Sequence, residues 1–395
     1  MALRELFLLD PEVVFLNHGS FGATPRPVFE AYQEWQRCLE RQPVRFLAGE
    51  LMGHLRQARQ ALGEYVSAPA DGLAFIQNAT IGVNLVARSL VLNPGDEVLT
   101  TDHEYGACDN VWDFVSRKTG ALVVRQPILL PVTSAEDILE GFWRGVTLRT
   151  RVIFISHITS PTALHLPVEA ICQRARQAGI LTLIDGAHAP GQISLDLGAL
   201  GADFYTGNCH KWLSAPKGSG FLYTRPEYQH LIEPLVVSWG WGENNPFQDG
   251  SKYLDALQWY GTHDPSAYLS VPAAIRFQAE HNWPAVRQRC HALVRQAMER
   301  VCDLTGLVPL YPEQGSFYHQ MATIPLPPVA DLPAFQKRLY QEYHIEIPGI
   351  LWRGHPFLRI SVQGYNTQAD IDALLDALSE LLGKPMSQIE PFSAL

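Results

Sequence analysis

A chain of 395 residues, 47% hydrophobic and 18% charged, has the apolar material for a packed protein of about two domains and lacks the profile of a disordered one. Its formal net charge of −10 argues against broad affinity for nucleic acid or anionic lipid, since both need a cationic surface to displace counterions. No apolar run nears the roughly 18 residues that span a bilayer. The opening MALRELFLLDPEVVFLN is broken by Arg4, Glu5 and Asp10, so it fails as a signal-peptide core, and the expected location is the cytoplasm. Six scattered cysteines with no C-x-x-C fit reduced thiols better than a disulfide frame or a zinc site.

In chain order, Leu47, Leu51, Leu55, Ala58 and Leu62 recur at helical spacing and predict an amphipathic helix that packs on a core. From residue 73 short apolar runs alternate with helical patterns. LAFIQ precedes a helix at 80–91, DEVLTT one at 106–118, and RVIFISHI one at 168–178. ILTLID, ADFYTG and SGFLYTR then follow in quick succession. Runs with no polar face are strands covered on both sides, which implies a mainly parallel α/β sheet with ligands gathered at the carboxyl ends of its strands. Past about residue 270 helices dominate, with strands at YHQMATI and FLRISV and a last helix near 367–382. That change marks a smaller second domain.

Three strand ends carry chemistry. After LAFIQ, Asn78, Ala79 and Thr80 open a helix, where free N–H groups and the helix dipole attract a phosphate; simple helix capping is the competing reading. After ILTLI stand Asp185, Gly186, Ala187 and His188. A buried aspartate needs a cationic partner, and a protonated ring nitrogen suits it better than a metal, because no histidine or carboxylate pair at ligand spacing accompanies it. After ADFYTG come Asn208, Cys209, His210 and Lys211. A lysine held among aromatic and backbone groups loses solvation, which frees its neutral amine as a nucleophile toward a carbonyl; a snorkelling surface lysine is the alternative. A phosphate cradle, a buried carboxylate and a reactive amine on one sheet edge are together what pyridoxal 5'-phosphate (PLP) requires, with Lys211 as the Schiff-base candidate.

The chain also resembles the class V group of fold-type I PLP enzymes, specifically isopenicillin N epimerase-like proteins. The resemblance runs through FLNHGSFGATP, NAT at 78–80, DHEYGA at 102–107, SHITSPTALHLPV at 156–168, DGAHAPG at 185–191, FYTGNCHKW at 204–212, SWGW at 238–241, GTHDPSAY at 261–268 and LRIS from 358. It implies a seven-stranded, mainly parallel sheet in a large domain at 26–268, a smaller α+β domain at 269–395, and an N-terminal segment at 1–25 that enters the active site. By the same resemblance Ala79 and Thr80 hold the phosphate with help from Asn78, Asn208 and His210. Asp185 meets the pyridine nitrogen, His188 the ring hydroxyl, and Tyr105 the ring face, with His103 a second candidate there. Thr262 reaches the phosphate of a neighbouring subunit, which implies a homodimer with shared sites. Arg359 clamps the substrate carboxylate, and Asn17 and His18 approach the substrate, His18 as an acid or base. Trp239 and Trp241 either line a substrate pocket or pack in a core.

The resemblance implies an enzyme acting at the α-carbon of an amino acid, epimerase-like or aminotransferase-like, with Lys211 as base. A PLP-dependent C–S lyase is the alternative, followed by a non-catalytic PLP-binding protein. Desulfurase chemistry through a nucleophilic cysteine is not expected, because no cysteine follows Cys302 to stand before Arg359. A dehydrogenase and a serine hydrolase are disfavoured, since no G-x-G-x-x-G, Walker A or G-x-S-x-G motif occurs.

Overall fold

The structure is a computed structural model that describes residues 3–312 and 316–383. The outermost ends of the N- and C-terminal segments expected from sequence therefore lie outside the described residues, as do 313–315. The strands in chain order are β1 (Val14–Phe15), β2 (Leu73–Ile76), β3 (Glu97–Thr101), β4 (Leu122–Gln126), β5 (Thr150–Ser156), β6 (Leu181–Gly186), β7 (Phe204–Asn208), β8 (Gly220–Thr224), β9 (Met321–Pro325), β10 (Ile345–Glu346), β11 (Gly349–Trp352) and β12 (His355–Ser361).

Seven of them form one sheet in the order β2-β8-β7-β6-β5-β3-β4. Six point the same way, and β8 alone is reversed, antiparallel to its neighbours β2 and β7. All residues of β2, β7 and β8 are buried, as the absence of a polar face in their sequence requires. The apolar runs at 73–77, 96–101, 151–158, 180–185, 202–207 and 219–225 each coincide with one of these strands to within two residues at either end. The seventh, β4, is not a continuous apolar run. It is an edge strand whose residues are exposed or half-buried, so its sequence LVVRQ lacks the signal that marks the others.

Two clusters of buried side chains cover the two faces of the sheet. One gathers Leu51, Leu55, Ala58 and Leu62 of the predicted amphipathic helix, now seen as Leu51–Val66, with Phe75, Ile153, Ile155 and Ile184. The other holds Ala74, Val98, Val152, Phe154 and Leu183 under Val83, Val86 and Trp112. A three-stranded antiparallel sheet, β11-β12-β9, packs with the helices Trp283–Thr305, Leu332–Tyr343 and Gln368–Leu382. The N-terminal stretch joins this part of the molecule: β1 pairs in parallel with β10, and Ser361 N–H donates to Leu16 C=O at 2.9 Å. No helix among the described residues is long and apolar enough to cross a membrane.

Candidate active site

The carboxyl ends of β5, β6 and β7, the start of the helix Ala79–Ser89, residues 19–21 and Arg359 of β12 enclose a cavity of about 540 Å³. Ser156, Asp185, Asn208, Lys211, Arg359 and Thr80 line it together, though they are separated by up to 279 residues in sequence. Glycines make that convergence possible. A Cβ at Gly82 would lie 2.1 Å from Thr206 Oγ1, so only glycine lets the helix Ala79–Ser89 rest on the sheet with its N-terminus at the strand ends. Gly22, at φ +71°, would bring a Cβ to 2.0 Å from His210 C=O, which is how the N-terminal segment closes against the Lys211 loop.

The helix start is capped by side chains of the protein itself, as the competing reading expected. Asn78 caps it, its Oδ1 accepting from Ile81 N–H at 3.0 Å, and Asn208 Oδ1 accepts from Ala79 N–H at 2.8 Å. Thr80 lies between these two capped amides and lines the cavity. His210, also on the wall, is tied by Nδ1 to Ser219 C=O at 2.8 Å, and burial pushes its pKa down to about 4. It therefore stands neutral at ordinary pH.

Asp185 is 4% exposed and has no cationic partner within ion-pair distance among the described residues. Its Oδ1 accepts from Ala187 N–H at 2.9 Å, and the Cys108 thiol lies 3.5 Å from Oδ2. Burial raises its pKa despite these donors and the more distant Lys211 charge. Lys211 is partly open to the cavity, yet protein surrounds its amine. Desolvation, reinforced by the charge of Arg359, pushes its pKa down to about 7.

His188 links the two chemically. Trp212 Nε1–H, which can only donate, points at His188 Nδ1 at 3.3 Å, so the ring proton of the neutral imidazole sits on Nε2. That Nε2 lies 3.2 Å from Lys211 Nζ and donates to it, which requires the amine to be neutral. The lowered pKa of His188, caused first by burial and then by the charges of Lys211 and Arg359, agrees.

Arg359 comes from the middle of β12 and is 5% exposed. Nη1 donates to Ser160 C=O at 2.8 Å and Ser160 Oγ at 3.0 Å, and Nη2 donates to Ser20 Oγ at 3.0 Å. Its Nε has no partner, and no carboxylate of the described residues pairs with it. Burial brings its pKa down to about 10, so it stays cationic at neutral pH. A buried guanidinium with neutral partners and a spare N–H suits an anionic ligand group.

Some expected residues stand elsewhere. Asn17 and His18 do not line the cavity, a correction to their approach to a substrate. His18 is fully buried behind the Lys211 loop, with Nδ1 3.0 Å from Tyr365 Oη and Nε2 3.0 Å from Lys211 C=O, and burial pushes its pKa down to about 3. Asn17 instead accepts from Ser20 Oγ at 2.5 Å. His103 is likewise withdrawn, engaged by Thr162 Oγ1 at 2.7 Å and Ile128 C=O at 2.8 Å, whereas Tyr105 is half-exposed on the cavity wall. Thr262 is exposed and outside the cavity, as are Trp239 and Trp241. Sequence reasoning assigned no role to Ser20 or Ser160. Both stand in the quoted motifs, but a serine carries no signal of its own until the guanidinium it serves is placed. Among the described residues, no group of three His, Cys, Asp or Glu side chains is placed to hold a metal ion, and no cysteine lines the cavity.

The donor set fits PLP. The site offers one unpaired buried carboxylate, one desolvated amine with a lowered pKa and a helix N-terminus for a phosphate, in a cavity of ordinary cofactor size. Comparison with known proteins points the same way. The family described as aminotransferase class-V matches residues 14–374. An isopenicillin N epimerase of Amycolatopsis lactamdurans is 38% identical, over 96% of this chain and 97% of its own length. A putative L-cysteine desulfhydrase of Oryza sativa subsp. japonica is 30% identical, over 96% of this chain and 86% of its own. Among solved structures, a C-DES variant with glycine covalently linked to its PLP cofactor superposes with a TM-score of 0.82 at 22% identity, over 95% of this chain and 99% of that one.

Proposed function

The chain belongs to the aminotransferase class-V family, and on that premise we propose that it is a PLP enzyme acting at the α-carbon of an amino acid, with an epimerase-like or aminotransferase-like outcome. The observation that carries this reading is the meeting of Asp185, Lys211 and Arg359 on one cavity, none of them ion-paired within the described protein. When bound, the cofactor supplies an aldehyde that captures amines and a cationic ring that acidifies the Cα proton of an attached amino acid.

The residues divide the remaining work. Thr80, the N-terminus of the helix Ala79–Ser89 and His210 hold the phosphate, while Asn78 and Asn208 fix that helix end. Asp185 would hold the ring-nitrogen proton, His188 would meet the ring hydroxyl, and Tyr105 would cover the ring face. Arg359, steadied by Ser160 and Ser20, takes the substrate carboxylate. Lys211, with a pKa near 7, is unprotonated often enough at neutral pH to act as nucleophile and then to remove the Cα proton. Inversion needs a second acid, and of the two groups the sequence suggested, Tyr105 lines the cavity and His18 does not. Thr262 is carried as a contact to the phosphate of a second subunit in a homodimer.

The epimerase-like outcome is favoured because that relative is the more similar of the two. The desulfhydrase relative supports a C–S lyase as the second reading, for which no enzymic thiol is needed. One experiment separates them: wild-type protein is loaded with PLP and incubated with L- and D-amino acids, cysteine included, in deuterated water. Deuterium at Cα with inverted configuration supports the epimerase-like reading; sulfide release from cysteine supports the lyase. Failure to take up PLP, or a cofactor absorbance band unchanged in Lys211→Ala, overturns both.

A further inference from the structure

The turn that joins β11 to β12 is built against local preference. Trp352 pairs with His355, which leaves a two-residue hairpin loop of Arg353 and Gly354, both at positive φ, +47° and +80°. Such a loop favours Asn-Gly, because asparagine and glycine enter the left-handed region readily and an arginine does not. What the arginine gains lies across the molecule.

Arg353 Nη2 is ion-paired with Asp102 Oδ2 in the turn after β3, while Asp102 Oδ1 accepts from Ile128 N–H at 3.0 Å. Trp352, 7% exposed, holds the same turn. Its Nε1–H donates to Asp102 C=O at 3.2 Å, and its ring lies against His103 with centroids 4.5 Å apart. The Arg353 guanidinium also rests over the Trp352 ring, 5.0 Å from its centroid. Two adjacent residues of the hairpin thus grip two adjacent residues next to the large sheet.

Both ends of this contact lead to the cavity. Tyr105, on its wall, follows His103 by two residues. On the hairpin, Arg359 N–H donates to Pro348 C=O at 3.0 Å, and Pro348, Ile350 and Arg359 all line the cavity. β11 is an edge strand with β12 as its one neighbour in the sheet, so contacts at the turn bear on where the hairpin lies. Arg359 stands four residues beyond His355, roughly 13 Å along an extended strand. A tilt at the turn is carried over that length to the guanidinium.

We propose that Arg353 and Trp352 are positioning residues, a clasp on the Asp102–His103 turn that holds the hairpin over the cavity and so sets Arg359 for a substrate carboxylate. The inference rests on the reading of Arg359 given above. The side chains of Arg353 and Asp102 are 33% and 19% exposed, so the pair is partly solvated and its loss should weaken substrate binding up to about fivefold.

Arg353→Asn tests the clasp without harming the hairpin, because Asn-Gly suits the turn and the variant should fold as stably as wild type. In PLP-loaded protein, KM for the best amino acid of the deuterium-exchange panel should rise about three- to fivefold, with kcat and the PLP concentration for half-saturation unchanged. Asp102→Asn should do the same, and the double variant should raise KM no further, since each single change removes one and the same pair. In the cofactor-free protein, amide hydrogen exchange across Gly349–Trp352 should quicken in each variant while the large sheet keeps its wild-type rates. An unchanged KM in Arg353→Asn, increases that multiply in the double variant, or unaltered exchange across β11 overturns the proposal. So does a loss of kcat or PLP affinity that matches the rise in KM, which marks a general structural defect. If Arg359→Lys leaves KM unchanged, the carboxylate reading falls and the proposal with it; if Arg359→Lys raises KM and Arg353→Asn does not, the clasp alone falls. A wild-type protein that takes up no PLP overturns the cofactor reading and the role given to Arg359. The exchange rates need no cofactor, so that failure is told apart from a failure of the clasp.

Discussion

Two buried aspartates in this molecule are shifted in opposite directions. Asp249 has a fully buried side chain, yet it receives Arg59 and, at 2.5 Å, Arg56, while Gln258 accepts from Arg59. Burial works against its charge, but the two guanidinium groups outweigh it and hold the carboxyl below its ordinary value. Asp185 sits deeper and has only a backbone N–H and a thiol, so burial wins and its pKa rises. The same contrast separates Arg59, ion-paired with Asp249 and 1% exposed, from Arg359, whose partners are serines and no carboxylate; each keeps its Nε without a partner. The protein matches its charges internally where they serve the fold. At the cavity it leaves a carboxylate, an amine and a guanidinium unmatched, and an unmatched buried charge is costly unless a ligand completes it.

The sharpest way to break this comparison is to change Lys211. Lys211→Met should lower turnover about 10²- to 10⁴-fold, the range lost with a general base. It should also stabilise the cofactor-free protein. The folded pKa of about 7 lies below that of the unfolded chain, so the unfolded state binds the extra proton between those values. The wild-type protein should therefore gain stability as pH rises from about 7 toward 10, and Lys211→Met should lose that slope in denaturant titrations. A slope equal in both proteins would show that the amine is not desolvated.

Breaking the matched pair should do the reverse. Asp249→Asn leaves Arg59 buried without its counter-ion and should cost about 3–5 kcal/mol of stability, with turnover per folded molecule unchanged. Because the Asp249 pKa is lowered, its contribution is present above about pH 4 and fades as pH falls through the folded value. Arg359→Lys keeps the charge but loses the planar fork, and KM for amino acids should rise about 10²-fold with little change in stability. The smallest effect belongs to Ser20→Ala, which removes one hydrogen bond from Arg359 and should raise KM a few-fold, in keeping with about 1 kcal/mol for such a bond.

Much of the frame was legible because buried strands leave uninterrupted apolar runs and polar residues at their ends stand out. Asp185 and Lys211 were found that way. β4 escaped because an edge strand keeps polar and half-exposed positions. His18 was misplaced for another reason: the motif fixes that the N-terminal segment reaches the site, but not which face of a four-residue helical turn looks into the cavity. Ser20 looks in and His18 looks away, toward Tyr365 and the Lys211 carbonyl. Long-range partners such as Ser160 with Arg359 depend on β12 meeting the end of β5, which no local pattern encodes.

The account stands on Lys211 being the amine that joins PLP, among six lysines in the chain. Reducing the PLP-loaded protein with borohydride and mapping the modified peptide by mass spectrometry reads this directly. The expected result is a single pyridoxyl phosphate group on Lys211. A label on Lys217 or another lysine, or none at all after loading, would contradict it.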